Sequence, residues 1–512
     1  MIRLVIFFTL FAALHLLLWS CNQSKNTVQT ENKALAEQYC QGCHQLPNPK
    51  NLDKNTWQNH VLPKMGHFLG FYKTPEERQS LFENNPADEY LKLKNIYPEK
   101  PLLSENDWQA IQKYYIDNAP EKLSVETILI EKNNPFFSAI ISPNKFSPPS
   151  TTLFQFNKNG GIYLGDAHTQ KFIELNQDFS IKRNIEVEEG AVCINELKDK
   201  LYVTFMGSFS PTDNPKGIIA SFPKKGIEGS KIEIENLRRP VDTKIEDLDN
   251  DGLSDFVIAE FGKFTGCLAW HKNLGNGKFE KKILWEKPGA TKVQIIDMNN
   301  DGLKDIVTLF AQADEGIDIY YNNGNGSFKR ERVLSFPPSY GSSSMRLQDF
   351  NNDGFPDIVY TAGDNADFLP ILKPYHGIYL FENNGKNAFK QTLFIPLNGA
   401  YSAFVHDFDQ DGKQDIAAIS FFPDWQNHIE QGFVFYHNEG NDLKKVSNFK
   451  PYSFPQVNKG RWILMDCADY DQDGDLDIGI ASLVMEVVPK IGIEEQWIKD
   501  GIPFLILKNT LK

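Results

Sequence analysis

One nine-residue pattern, D-x-[DN]-x-D-G-x-x-D, occurs five times between residues 247 and 477 of this 512-residue chain, and it constrains the fold more than any other feature. The copies are Asp247, Asp249, Asp251 and Asp255; Asp297, Asn299, Asp301 and Asp305; Asp349, Asn351, Asp353 and Asp357; Asp407, Asp409, Asp411 and Asp415; and Asp469, Asp471, Asp473 and Asp477. Each has glycine at its sixth position, from Gly252 to Gly474, and the copies start 50, 52, 58 and 62 residues apart, the spacing of modules with variable insertions. Oxygen ligands at positions one, three and five, a glycine turn and a later carboxylate are what a hard cation such as Ca2+ requires. An EF-hand is excluded, because its bidentate glutamate at position twelve is missing; Ile258 fills that slot in the first copy. Five divalent ions would offset about ten negative charges, most of the formal net charge of -14. The acidity that remains argues against nucleic acid as a partner.

The flanks of each loop read as strands, for example Phe256 to Ala259 and Ile306 to Leu309, and glycine-rich hairpins ending in an aromatic follow. Asn273-Leu-Gly275-Asn-Gly277-Lys-Phe279 and Asn323-Gly324-Asn325-Gly326-Ser-Phe328 show this best, and Asn383-Asn384-Gly385 to Phe389 is a looser copy. The whole resembles the FG-GAP, or VCBS, repeat family. That resemblance implies an all-β seven-bladed propeller over residues 124–512, with calcium between the first two strands of each loop-bearing blade. Leu153 to Ile185 and Ala191 to Ile234 each contain four strand-like runs without an acidic loop, and make two degenerate blades. The last unit supplies three strands, ending at Phe504 to Leu507; Val125 to Glu131 is expected to add the fourth and close the ring.

Residues 33–122 carry different chemistry. Cys40-Gln41-Gly42-Cys43-His44 is a C-x-x-C-H run, in which two thiols reach the two vinyl groups of one porphyrin and the next imidazole meets the iron. A zinc half-site would need a second cysteine pair nearby, and a thioredoxin-like pair would need strand-helix alternation; neither surrounds the motif. A helix is expected from Lys33 to Tyr39, another from Asn55 to Leu62 ending at Pro63, and a third capped by Ser104 with Trp108, Ile111, Tyr114 and Tyr115 on one face. This portion resembles a small all-α monohaem cytochrome c domain, which implies covalent haem c on Cys40 and Cys43 with His44 as axial ligand. Met65 is the expected sixth ligand, on a loop after Pro63, with His60 and His67 as alternatives.

Arg3 followed by the apolar run Leu4 to Leu18 reads as an export signal over residues 1–20. Leu18-Trp19-Ser20-Cys21 resembles a bacterial lipobox, which implies lipid attachment at Cys21 and a polar tether over 21–32. Of the six cysteines, Cys193, Cys267 and Cys467 sit in apolar runs and read as small buried hydrophobes.

Together these resemblances imply a c-type cytochrome that is expected to be lipid-anchored in the cell envelope, on its periplasmic or surface-exposed side with the outer membrane favoured, and to pass single electrons. Its calcium-binding propeller is expected to dock a redox partner protein or a polysaccharide. An adhesion scaffold with an accessory haem, and a propeller dehydrogenase feeding the haem, are the alternatives. His271, His376, His406, His428 and His437 are scattered and share no repeat position, which weighs against catalysis in the propeller.

Overall fold

The computed structural model describes residues 29–187, 190–226, 228–366, 370–440, 442–484 and 492–511; the expected signal and Cys21 lie outside them. The chain divides into two compact units. One comprises residues 29–81 and 95–123, the other 82–94 and 124–511.

The larger unit is a seven-bladed β-propeller, and among the described residues it holds seven four-stranded antiparallel sheets. Blade 1 is Thr151–Phe156, Ile162–Asp166, Lys171–Leu175 and Ile181–Glu186; blade 2 is Ala191–Leu197, Lys200–Phe205, Gly217–Pro223 and Lys231–Leu237. Blade 3 is Pro240–Glu246, Asp255–Glu260, Cys267–Asn273 and Phe279–Trp285; blade 4 is Ala290–Ile296, Asp305–Phe310, Gly316–Asn322 and Phe328–Ser335. Blade 5 is Ser342–Gln348, Asp357–Ala362, Gly377–Asn383 and Phe389–Pro396; blade 6 is Ala400–His406, Asp415–Ser420, Phe433–Asn438 and Phe449–Tyr452.

The second strand of each loop-bearing blade is buried along its whole length, which explains its near-continuous apolar run. Every first strand carries a register shift between its first and third residues, Thr151/Leu153 and Ala191/Cys193 included. Blades 1 and 2 are therefore the same module as the rest, with the acidic loop replaced by short turns. One such turn is Asn157 to Gly161, whose glycine N–H bonds the Asn157 side chain at 2.9 Å. Apolar clusters fill the blade interfaces, and side chains of several first strands stitch their blade to the next. Asp242 accepts the Val293 N–H at 2.9 Å, Gln294 accepts that of Leu347 at 2.6 Å, and Asp466 accepts that of Phe156 at 2.9 Å.

Blade 7 is Trp462–Ala468, Asp477–Ser482 and Phe504–Asn509, completed by Phe137–Ile141 from the start of the domain. Closure by a strand from the other end of the domain is as expected, but Val125 to Glu131 is not that strand. Phe137 pairs with Asn509 and Ile141 with Leu505, because Phe137 enters the core between Phe408 and Phe435. Within 125–131, Ile128 and Ile130 pack against the apolar cluster of blades 5 and 6, and Glu131 bridges Tyr452.

The smaller unit is helical. A helix spans 29–40, and Glu105–Asn118 forms another whose N-terminus is capped by Ser104, which accepts the Asp107 N–H at 3.1 Å. The segment expected to stop at Pro63 instead continues: Lys54–Thr56, the π-helical Trp57–Val61 and Leu62–Phe68 follow without a break. The wide π turn absorbs the proline, whose ring and missing N–H would break a regular α-helix at that point.

Candidate functional site

Two sets of residues carry chemistry, one in each unit. In the propeller the five acidic loops adopt one geometry. The fourth position of each is left-handed, with φ of 58° at Asn250, 59° at Asn300 and Asn352, 57° at Gln410 and 63° at Gln472. The sixth is glycine, with φ from 86° at Gly252 to 99° at Gly474. These two turns fold the loop so that the first aspartate accepts the N–H groups of positions five and six; in the first loop Asp247 takes Asp251 at 3.1 Å and Gly252 at 2.8 Å. The ninth-position aspartates, Asp255, Asp305, Asp357, Asp415 and Asp477, are fully buried and anchor the loop to its blade.

Each of those anchors grips one asparagine that the sequence reading quoted, at most, as part of a hairpin. Asp255 accepts the backbone N–H of Asn273 at 2.7 Å. Asp305, Asp357, Asp415 and Asp477 accept those of Asn322, Asn383, Asn438 and Asn509 at 2.8 Å. The asparagine amide in turn donates to the carbonyl just before the anchor, as from Asn273 to Ser254 at 3.0 Å. The signal for four of them is an asparagine two residues before a hairpin glycine; Asn509, followed by Thr510 and Leu511, has none.

Burial, with neighbouring carboxylates adding to it, pushes Asp357 and Asp477 up to about 6 and Asp415 up to about 7, and moves Asp255 and Asp305 the same way. Among the described residues Asp249 Oδ1, Asp357 Oδ2, Asp471 Oδ1 and Asp475 Oδ1 are buried with no hydrogen-bond partner. Crowded acids with orphaned oxygens are the donor chemistry that a divalent cation satisfies, so these loops fit one. Ligand atoms within 4.8 Å of one another occur at Asp247, Asp249 and Asp251; at Asp407, Asp409 and Asp415; and at Asp469, Asp471 and Asp477. The fourth loop also gathers Asp409, Asp411 and His437, whose Nε2 lies 2.9 Å from Asp409. His437 thus leaves the set of scattered histidines, while His271 and His376 are buried in the blades. Cys193 and Cys267 are buried thiols pushed up by burial to about 11 and about 12, as inert core cysteines should be, and burial shifts Cys467 the same way.

In the helical unit, Cys40, Cys43 and His44 stand at the end of the helix over 29–40. Cys40 is pushed up to about 11 by burial and by Cys43 beside it. Tyr115, on the helix Glu105–Asn118, is held well above the usual tyrosine range by burial and then by the Cys40 thiol. Its hydroxyl is buried and, among the described residues, has no hydrogen-bond partner. The Trp57 ring packs tilted against Tyr115, 4.4 Å between centroids. The two thiols and the imidazole are absent from the groups of described residues whose ligand atoms converge on one point. Two thiols and an imidazole at C-x-x-C-H spacing are nonetheless the donor set that covalent haem attachment requires, and Trp57, Ile111 and Tyr115 are buried apolar residues of the same unit. Met65 lies on the helix Leu62–Phe68 and is half-buried, not on the loop expected after Pro63. His60 is also half-buried, while His67 is engaged by Glu77 at 3.4 Å and stacked on Tyr72.

Comparison with known proteins bears on the propeller. The FG-GAP-like repeat pattern matches residues 247–308 and 297–360. Integrin alpha-4 of Xenopus laevis is 28% identical over 145 residues, 25% of this chain and 14% of that relative. Integrin alpha-3 of Cricetulus griseus is 25% identical over 175 residues, 32% of this chain and 16% of that relative. The chain thus spans about a sixth or less of the length of these curated relatives. Among solved structures, virginiamycin B lyase from Staphylococcus aureus superposes with a TM-score of 0.45 at 12% identity, covering 73% of this chain and 98% of that one. A streptogramin B lyase gives 0.47 at 11% identity, with the same coverage.

Proposed function

We propose that this seven-bladed propeller of FG-GAP repeats is the docking half of an envelope electron carrier whose other half holds one haem c. The observation that carries the reading is the C-x-x-C-H run at the end of one helix, with Cys40 set against Tyr115 of a second, aromatic helix. Cys40 and Cys43 would bind the macrocycle through thioether links, His44 would be the axial ligand, and Met65 the sixth, with His60 the alternative. Haem bound there supplies a one-electron iron couple, and a thioether opposite an imidazole raises its potential relative to two imidazoles. In support, Trp57, Ile111 and Tyr115 are buried in the same unit, and among the described residues the Tyr115 hydroxyl has no hydrogen-bond partner.

In the same reading, calcium in the acidic loops stiffens one rim of the propeller, which presents a rigid surface to a redox partner protein or a polysaccharide. A lipid on Cys21 would hold the chain at the membrane, with the outer membrane favoured. Among the described residues the propeller histidines share no position across the blades, which favours carriage of electrons over catalysis.

The test is a potentiometric titration of the purified chain followed by visible absorbance, repeated with candidate sugars. One reversible one-electron wave with no sugar turnover is the expected result. Steady sugar oxidation would favour the dehydrogenase, and glycan binding indifferent to redox state would favour the adhesion scaffold.

A further inference from the structure

The five asparagines held by the ninth-position aspartates fix a common register, so the residue before each occupies an equivalent place facing its loop. In chain order those residues are Lys272, Tyr321, Glu382, His437 and Lys508. Their character tracks the third position of the loop they face. Where the facing residue is basic, the third position is aspartate: Asp249 opposite Lys272, Asp409 opposite His437 and Asp471 opposite Lys508. Where it is tyrosine or glutamate, the third position is asparagine, Asn299 or Asn351.

Contacts follow the same division. Lys272 Nζ donates to Asp249 and lies 3.0 Å from Asp251 Oδ2. Lys508 Nζ pairs with Asp471 and lies 3.6 Å from Asp473 Oδ2. Both ammonium groups therefore sit between positions three and five, the two side chains a bound cation would share. In the second and third loops the equivalent side chains are occupied elsewhere: the Tyr321 hydroxyl accepts from Asn387 at 3.0 Å, and Glu382 pairs with Lys444 at 2.8 Å.

We infer that the chain supplies its own cation to two of its five loops through Lys272 and Lys508, and that these two loops do not take a divalent ion while the ammonium is in place. The extra aspartate at the third position is the lysine's counter-ion, not a stronger metal ligand. An ammonium and a divalent ion a few ångströms apart repel strongly, and the carboxylates that hold one are not free for the other. Asp249 and Asp471 each keep Oδ1 buried and unpartnered among the described residues, so both loops retain ligand capacity once the lysine is removed. The inference rests on the calcium reading of the loops, and it reduces the expected stoichiometry from about five to at most three.

Calorimetric titration of the chelator-stripped full chain with Ca2+ tests it. The natural chain should take three ions or fewer. Replacing both lysines by methionine (K272M with K508M) keeps the apolar stems and should raise the count by two. Four or five ions in the natural chain, or an unchanged count in a folded double variant, would overturn the inference while leaving calcium binding intact. No calcium in either chain would instead remove the calcium reading beneath it. Four or five ions in the natural chain overturn the inference even if the double variant fails to fold, and K272M and K508M made singly should then each add one ion.

Discussion

The carboxylate of Asp305 spans two elements of blade 4: one oxygen accepts the N–H of Asn322 at 2.8 Å, the other that of Met298 at 2.9 Å. Hydrogen bonds thereby lock the loop to the third strand of its own blade. Asp305→Ala would leave both N–H groups buried and unpaired. Its cost should be about 3 kcal/mol or more, read as a lower urea midpoint with an unchanged slope. Asp305→Asn keeps one acceptor and should cost about half as much.

Closure of the ring by Phe137–Ile141 makes a second, discriminating prediction. Phe137 is buried against Phe408 and Phe435, whereas Ile128 lies half-buried on the blades 5 and 6 cluster. Phe137→Ala should cost about 3–5 kcal/mol, and Ile128→Ala clearly less. Equal costs in denaturant unfolding would contradict the assignment of the closing strand.

The loops were legible in the sequence because a cation site of this kind is built from residues within nine positions. The repeated hydrophobic runs revealed the blades for the same local reason. The closing strand was not legible, since its pairing joins Phe137 to Asn509 across nearly the whole propeller and two apolar runs compete for it. Lys272 stands 23 residues beyond Asp249, so only the folded register brings it to the loop. The sequence puts Met65 on a loop because proline usually ends a helix, and nothing local announces the π turn that carries the helix past Pro63.

Glu315 gives the propeller a pH dependence of definite sign. Its carboxyl is buried, accepts the N–H and hydroxyl of Ser342 at 2.9 and 2.6 Å, and is pushed up to about 8 by burial. An unfolded glutamate titrates near about 4.3, so between these values the native state holds the extra proton. Stability therefore falls as pH rises from about 4.3 to about 8, by on the order of 3–5 kcal/mol for this group. Glu315→Gln should flatten that slope, as measured by urea unfolding across the range.

Removing divalent ions should lower the unfolding temperature, since a ligand bound only by the native state stabilises it by about 2.7 kcal/mol at a hundredfold excess over Kd. Added chelator should lower the midpoint in scanning calorimetry, and Ca2+ should restore it. Asp301→Ala, which removes the fifth-position ligand of a loop that no lysine faces, should reduce that calcium-dependent shift.

Intact-mass measurement of the denatured chain, made in a host that matures c-type cytochromes, tests the central claim most directly. The account predicts the added mass of one haem, retained through denaturation, mapped to the peptide holding Cys40 and Cys43, and lost when both are replaced by alanine. A chain at its bare polypeptide mass in that region, with both thiols open to alkylation, would contradict it.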